Sequence, residues 1–123
     1  MENVSSEIKT ESIKSLQSTI RKAEKALAQM IQKGANTTLI EKRLTAIRIG
    51  LAVLDSAWNQ GSHHYTKNDL VETRNVLTGL LPSIEDIYSK SKIGSPQRTL
   101  LERRMKALEL AVQAIDDRSN EIT

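Results

Sequence analysis

His63 and His64 stand side by side, with Asp69 close behind them. Imidazole and carboxylate are ligand types of a zinc-like site, but such a site needs three or four donors converging on one point. Neighbouring residues diverge on regular structure, and the chain offers no further histidine and no cysteine to complete the set. The pair reads as part of a solvated linker, and no metal or other cofactor is expected. Carboxylates also come as neighbours, Glu85 with Asp86 and Asp116 with Asp117. On a helix such neighbours point about 100° apart and do not share a proton as a catalytic pair would. Asp116 and Asp117 fall near the expected end of a helix, where the macrodipole disfavours anions, so a partner contact or a solvated end is expected there. There is no glycine-rich phosphate loop, no nucleophile elbow, no HExxH and no inward Glu-x-x-His pair. The expectation is a non-enzyme with no evident small-molecule substrate.

Three basic clusters remain: Arg21, Lys22 and Lys25; Lys42, Arg43 and Arg48; Arg98, Arg103, Arg104 and Lys106. Acidic residues are interleaved with them at helical spacing, which is the usual pattern of a solvated face. Net charge is +3, and the excess lies in the first half of the chain. No dense basic face is expected, and three aromatics, Trp58, Tyr65 and Tyr88, make a poor stacking platform for bases. Lys42, Arg43, Arg103 and Arg104 are nevertheless candidate phosphate contacts. They define the second functional reading, a weak sequence-independent nucleic-acid or phosphate binder. Arg74 falls among leucines. Either its stem covers the seam while the guanidinium reaches water, or it is buried against Asp55, Glu24 or Glu41.

The elements that must carry these residues are set by a repeat. Thr38–Asp55, TLIEKRLTAIRIGLAVLD, aligns without a gap with Thr99–Asp116, TLLERRMKALELAVQAID, at an offset of 61. Ile40, Leu44, Ile47, Leu51 and Leu54 recur as Leu101, Met105, Leu108, Val112 and Ile115. Earlier helices match at an offset of 57, Ile13 with Leu70, Ile20 with Leu77 and Leu27 with Ile84. Apolar steps alternate three and four, as in a bundle or coiled-coil seam. The pattern predicts an all-α fold, an antiparallel four-helix bundle built from two duplicated helical hairpins. A dimer in which each hairpin pairs with its copy from another chain fits the same pattern.

Helix 1 is expected over 13–33 with Gly34 as its left-handed stop. Helix 2 begins near Thr38, where Thr38 and Glu41 suggest a capping box. Gly50 within it costs about 1 kcal/mol against alanine and predicts a close helix crossing. Helix 3 starts at a Thr66/Asp69 cap pair, and Pro82 with Gly79 predicts a kink or two shorter helices. Ser95 as N-cap and Pro96 as first residue open helix 4, which is expected to reach about Arg118. The domain is therefore 13–118, with repeats at 13–58 and 70–118, a frayed lead-in at 1–12 and a frayed tail at 119–123.

The run Ile40-Glu41-x-Arg43-Leu44-x-x-Ile47, with Leu51, Leu54, Trp58 and then Tyr65-Thr-Lys-Asn-Asp69-Leu70, resembles the N-terminal helical region of insect retroelement Gag polyproteins. The likeness spans Thr38 to Tyr88. The aromatic residues of that pattern are absent at Leu51 and Leu54, and no zinc knuckle is present. The resemblance implies a structural, self-associating role.

The leading reading is a protein–protein interaction or self-association module, a homodimer among its forms. Its candidate contact residues flank the seams: Ile49 and Val53 on helix 2, and Val71, Val76, Leu80 and Ile87 on helix 3. Each helix carries more apolar residues than a simple bundle core requires. The polar start carries no apolar leader, the chain has no cysteine, and no apolar run approaches the ~20 residues of a membrane span. An intracellular, cytoplasmic protein without membrane contact is expected.

Overall fold

The computed structural model describes residues 4–59, 61 and 64–122. They form four helices, α1 (Ser6–Gln32), α2 (Thr38–Asn59), α3 (Lys67–Lys90) and α4 (Pro96–Ile122). The fold is the all-α four-helix bundle of two hairpins.

Each boundary has a local cause. Ser5 caps α1 by accepting the Ile8 N–H. The helix therefore starts well before Ile13, and the expected frayed lead-in is helical from Ser6. Val4 and Ile8 pack against the core and Ser12 is buried, which anchors this turn. At the other end Gly34 adopts φ 69°. Its N–H and that of Ala35 donate to the carbonyls of Ile31 and Met30 and close a Schellman motif.

The cap of α2 sits one residue earlier than expected. The Thr37 hydroxyl, not that of Thr38, meets the Glu41 carboxylate at 3.1 Å, and Asn36 accepts the Thr38 N–H. Thr66 and Asp69 form a complete capping box on α3. Ser95 accepts the Arg98 N–H ahead of Pro96. Pro82 neither ends nor splits α3, which runs unbroken to Lys90. Its ring faces an exposed side, where one missing backbone bond is tolerated. The expected frayed tail is also corrected, because α4 continues to Ile122.

Within each hairpin the helices are antiparallel. Arg48 on α2 meets Glu24 on α1, while Lys9 near the start of α1 lies over the Trp58 ring at the end of α2. Tyr88 meets Glu102, and Arg74 meets Asp116, in the same opposed order along α3 and α4. Between hairpins α1 packs on α4 and α2 on α3, and α2 also packs diagonally on α4. Among the described residues α1 and α3 do not touch.

The repeated helices are thus the central ones. Small residues at matching repeat positions are buried there: Gly50 lies against its counterpart Ala111, and Ala46 and Ala107 are matched in the same way. A Cβ on Gly50 would lie 3.0 Å from Leu77 Cδ1 and 3.6 Å from the Ala111 Cβ. That is the close crossing which a mid-helix glycine implied. Leu54, Leu70, Leu77, Leu108 and Ile115 fill the space around it and are fully buried. The core is wider on α2 and α4 than a seam of alternating threes and fours, because each of them faces three neighbours.

Candidate functional site

The structure sorts the candidate residues by what their neighbours leave free. Val53, offered as a contact residue, is 2% exposed and belongs to the core. Its position on the diagonal face of α2, beside Ala46 and Gly50, accounts for the correction. Ile49, Val76 and Leu80 are half-buried and pack against the same core. Val71 and Ile87 are exposed at 46% and 47%. They lie 16 residues apart on α3, which is about 24 Å of helix, so they do not form one patch.

Arg74 pairs with Asp116 at 2.6 Å, and both side chains are nearly half exposed. Its guanidinium does reach the surface. The partner is Asp116 rather than Asp55, Glu24 or Glu41. Because α4 runs past it, Asp116 is not at a helix end. A pair this exposed is worth about 0–1 kcal/mol. Asp86, one of the neighbouring carboxylates, meets Lys90 at 3.0 Å. His64 is exposed, and His63 lies outside the described residues.

The basic clusters are divided in the same way. Arg48 is held by Glu24. Arg98 stacks on the Tyr88 ring at 4.0 Å and donates to the carbonyls of Tyr88 and Ser91, so it ties the α3–α4 turn together. Both of these cations are thus engaged within the bundle. Lys42 and Arg43 line a groove between α2 and α3, together with Leu39, Glu72, Asn75, Val76, Gly79 and Leu80. Arg103 and Arg104 line a different groove, between α1 and α4, where Leu100, Lys14, Ser15, Ser18, Arg21 and Lys22 join them. The two candidate pairs therefore do not form one surface.

The two grooves are copies of one another. At the offset of 61, Leu39, Lys42 and Arg43 correspond to Leu100, Arg103 and Arg104; at 57, Ser15, Ser18 and Lys22 correspond to Glu72, Asn75 and Gly79. The duplication has thus placed these two clefts at equivalent positions on the bundle. Their volumes are about 380 Å³ for α2/α3 and about 680 Å³ for α1/α4.

Leu39 and Leu100 head the two clefts and stay 58% and 54% exposed. Sequence reasoning passed over both, because each lies beside its seam rather than on it. The available signal was the recurrence of a large apolar residue at one off-seam position in both repeats. Lys14, Ser15 and Ser18 were missed for a different reason. They become neighbours of Arg103 and Arg104 only once the hairpins are packed. Among the described residues, no group of three or more histidine, cysteine, aspartate or glutamate side chains is placed to hold a metal ion, and no helix is long and apolar enough to cross a membrane.

No family model, curated protein or solved structure matches this chain.

Proposed function

We propose that this protein is a non-enzymatic helical interaction module that docks a protein partner in the groove between α2 and α3. The observation that carries this reading is the apolar floor of that groove: Leu39 stays 58% exposed and is continued by Val76 and Leu80. Leaving a leucine in water at the mouth of a cleft forgoes on the order of 1 kcal/mol or more of burial, which a partner's apolar side chain would recover. The rim supplies Lys42 and Arg43 beside Glu72. The occupant that fits is an amphipathic helix, apolar on the face turned inward and acidic where it passes Lys42 and Arg43. The self-association implied by the resemblance to retroelement Gag regions is the homotypic version of the same docking.

The chain has no cysteine, and a Cβ on Gly79 would meet nothing within 4 Å. Gly79→Cys carrying a photo-crosslinker therefore reports what enters the groove. The expected result is one discrete cross-linked protein from the native cell extract, lost when Leu39→Glu is added. A homodimer in sedimentation equilibrium, lost on the same substitution, would name a second copy as the occupant. An extract that yields no adduct, or an adduct indifferent to Leu39→Glu, overturns the reading.

A further inference from the structure

The α1/α4 groove differs from its copy in one respect above all, its charge. Lys14, Arg21, Lys22, Arg103 and Arg104 line it against a single carboxylate, Glu11. Glu11 reaches only Arg103, and at a long 3.5 Å. Among the described residues no carboxylate comes within 4.0 Å of the other four cations. Arg104 also holds its Nε buried with no hydrogen-bond partner, an uncommon condition for a group that donates strongly.

The duplicate groove shows that the fold does not need this charge. The α3 residues matching Lys14, Arg21 and Lys22 are Val71, Thr78 and Gly79, and Glu72 stands where α1 has Ser15. The same helix packing is thus built once with three added cations and once with none. Lys14, Ser18 and Arg21 follow each other at helical spacing, so they line one side of the cleft over about 10 Å. Arg103 and Arg104 approach from the other helix. Like charges gathered along a concave wall repel one another, and an anion removes that cost.

We infer that the α1/α4 groove binds a small ligand carrying two or more phosphate groups. Its volume of about 680 Å³ falls in the ordinary range for small-molecule clefts, roughly 300–1,000 Å³. No aromatic residue lines it, so recognition goes to the phosphates and not to a stacked base. Arginine forks grip phosphate oxygens in pairs, and the hydroxyls of Ser15 and Ser18 lie beside them as further donors. A soluble polyphosphate and the headgroup of a multiply phosphorylated lipid present the same chemistry to this cleft. The inference is independent of docking at α2/α3 and stands or falls separately.

The test is calorimetry with inorganic tripolyphosphate at 150 mM salt, on the wild type, on Arg21→Glu/Lys22→Glu and on Lys42→Glu/Arg43→Glu. The expected result is a single site, weakened on the order of 100-fold by the first double substitution and changed little by the second. All four residues are exposed, so circular dichroism should find each variant folded. A second arm adds vesicles of phosphatidylcholine with and without 5% phosphatidylinositol bisphosphate. Vesicle binding that requires the bisphosphate and Arg21/Lys22 assigns the ligand to a lipid headgroup, and tripolyphosphate binding alone assigns it to a soluble compound. Absence of tripolyphosphate binding, or equal loss from both double variants, overturns the inference. So does a single-stranded oligonucleotide that binds more tightly than tripolyphosphate and depends on both grooves, because the basic residues would then be one diffuse nucleic-acid surface.

Discussion

The two inter-hairpin grooves share a backbone plan and part company in their side chains. Both are headed by an exposed leucine, Leu39 or Leu100, followed by two cations on the same helix. Across the cleft α3 offers Glu72, Val76, Gly79 and Leu80, and α1 offers Lys14, Ser15, Ser18, Arg21 and Lys22. One copy thereby carries mixed charge around Val76 and Leu80, and the other is strongly cationic. Positions that hold the bundle together are matched between repeats, as Ala46 is by Ala107 and Leu54 by Ile115. Divergence is concentrated on the outer helices α1 and α3, which among the described residues do not pack on each other. An outer helix can change its solvent side without disturbing the diagonal contact, so that is where a duplicated scaffold can acquire two different surfaces.

The largest effect is expected from breaking the diagonal on which both grooves depend. Val53→Asp places a carboxylate among the buried apolar side chains of the core. Burial of an unpaired charge costs several kcal/mol, comparable with the whole stability of a domain of this size. The variant is expected to lose its cooperative thermal transition and its helical circular dichroism signal. A folded Val53→Asp protein that merely lost a binding partner would restore Val53 to the surface and contradict the packing of α2.

Next in size is a transfer of character from one groove to the other. Val71→Lys, Glu72→Ser, Thr78→Arg and Gly79→Lys give α3 the residues that α1 carries at the matching positions. Lys42 and Arg43 already stand where Arg103 and Arg104 do. The expected outcome is a second tripolyphosphate site, seen in calorimetry as a stoichiometry rising from one to two. If the variant folds and still binds one equivalent, the cations on the outer helix are not what separates the two grooves. The buried Nε of Arg104, which exposed Arg43 does not match, would then be the feature to replace.

Much of this architecture is legible in the sequence. The repeat identified the hairpins, Gly34 and Ser95–Pro96 marked their turns, and Gly50 announced a crossing. What stayed hidden was relational. A seam of alternating threes and fours describes a helix with one or two neighbours. It does not show that α2 and α4 each meet three, so from the sequence Val53 looks like surplus surface. Likewise the repeated positions of Lys42/Arg43 and Arg103/Arg104 imply two related patches, but not which helix faces each. Equivalent positions in a two-fold arrangement lie at different interfaces, and the real neighbours of Arg104 come from α1. The early turns of α1 were missed because Val4, Ile8 and Ser12 too sparsely mark a helical face until α4 is there to cover it.

The smallest expected effect concerns Gly79, which lines the α2/α3 groove. Gly79 lies inside α3, three residues before Pro82. Its φ is not positive, so alanine fits its backbone, and a Cβ there would meet nothing within 4 Å. On helix propensity alone Gly79→Ala should stabilise the protein by up to about 1 kcal/mol, raising the thermal midpoint by a few degrees. The matching position on α1 is Lys22, a good helix former, so the substitution makes the two outer helices more alike in stiffness. Pro82 already removes the backbone bond to the Thr78 carbonyl, and Gly79 adjoins that weak point beside the apolar floor of Val76 and Leu80. A Gly79→Ala protein that melts higher and still cross-links its partner, through a cysteine at Asn75 instead, would show that the docking groove is rigid and preformed. A higher midpoint with docking lost would show that α3 must yield at 78–82 to admit its occupant, and flexibility would then separate the two grooves as much as charge does.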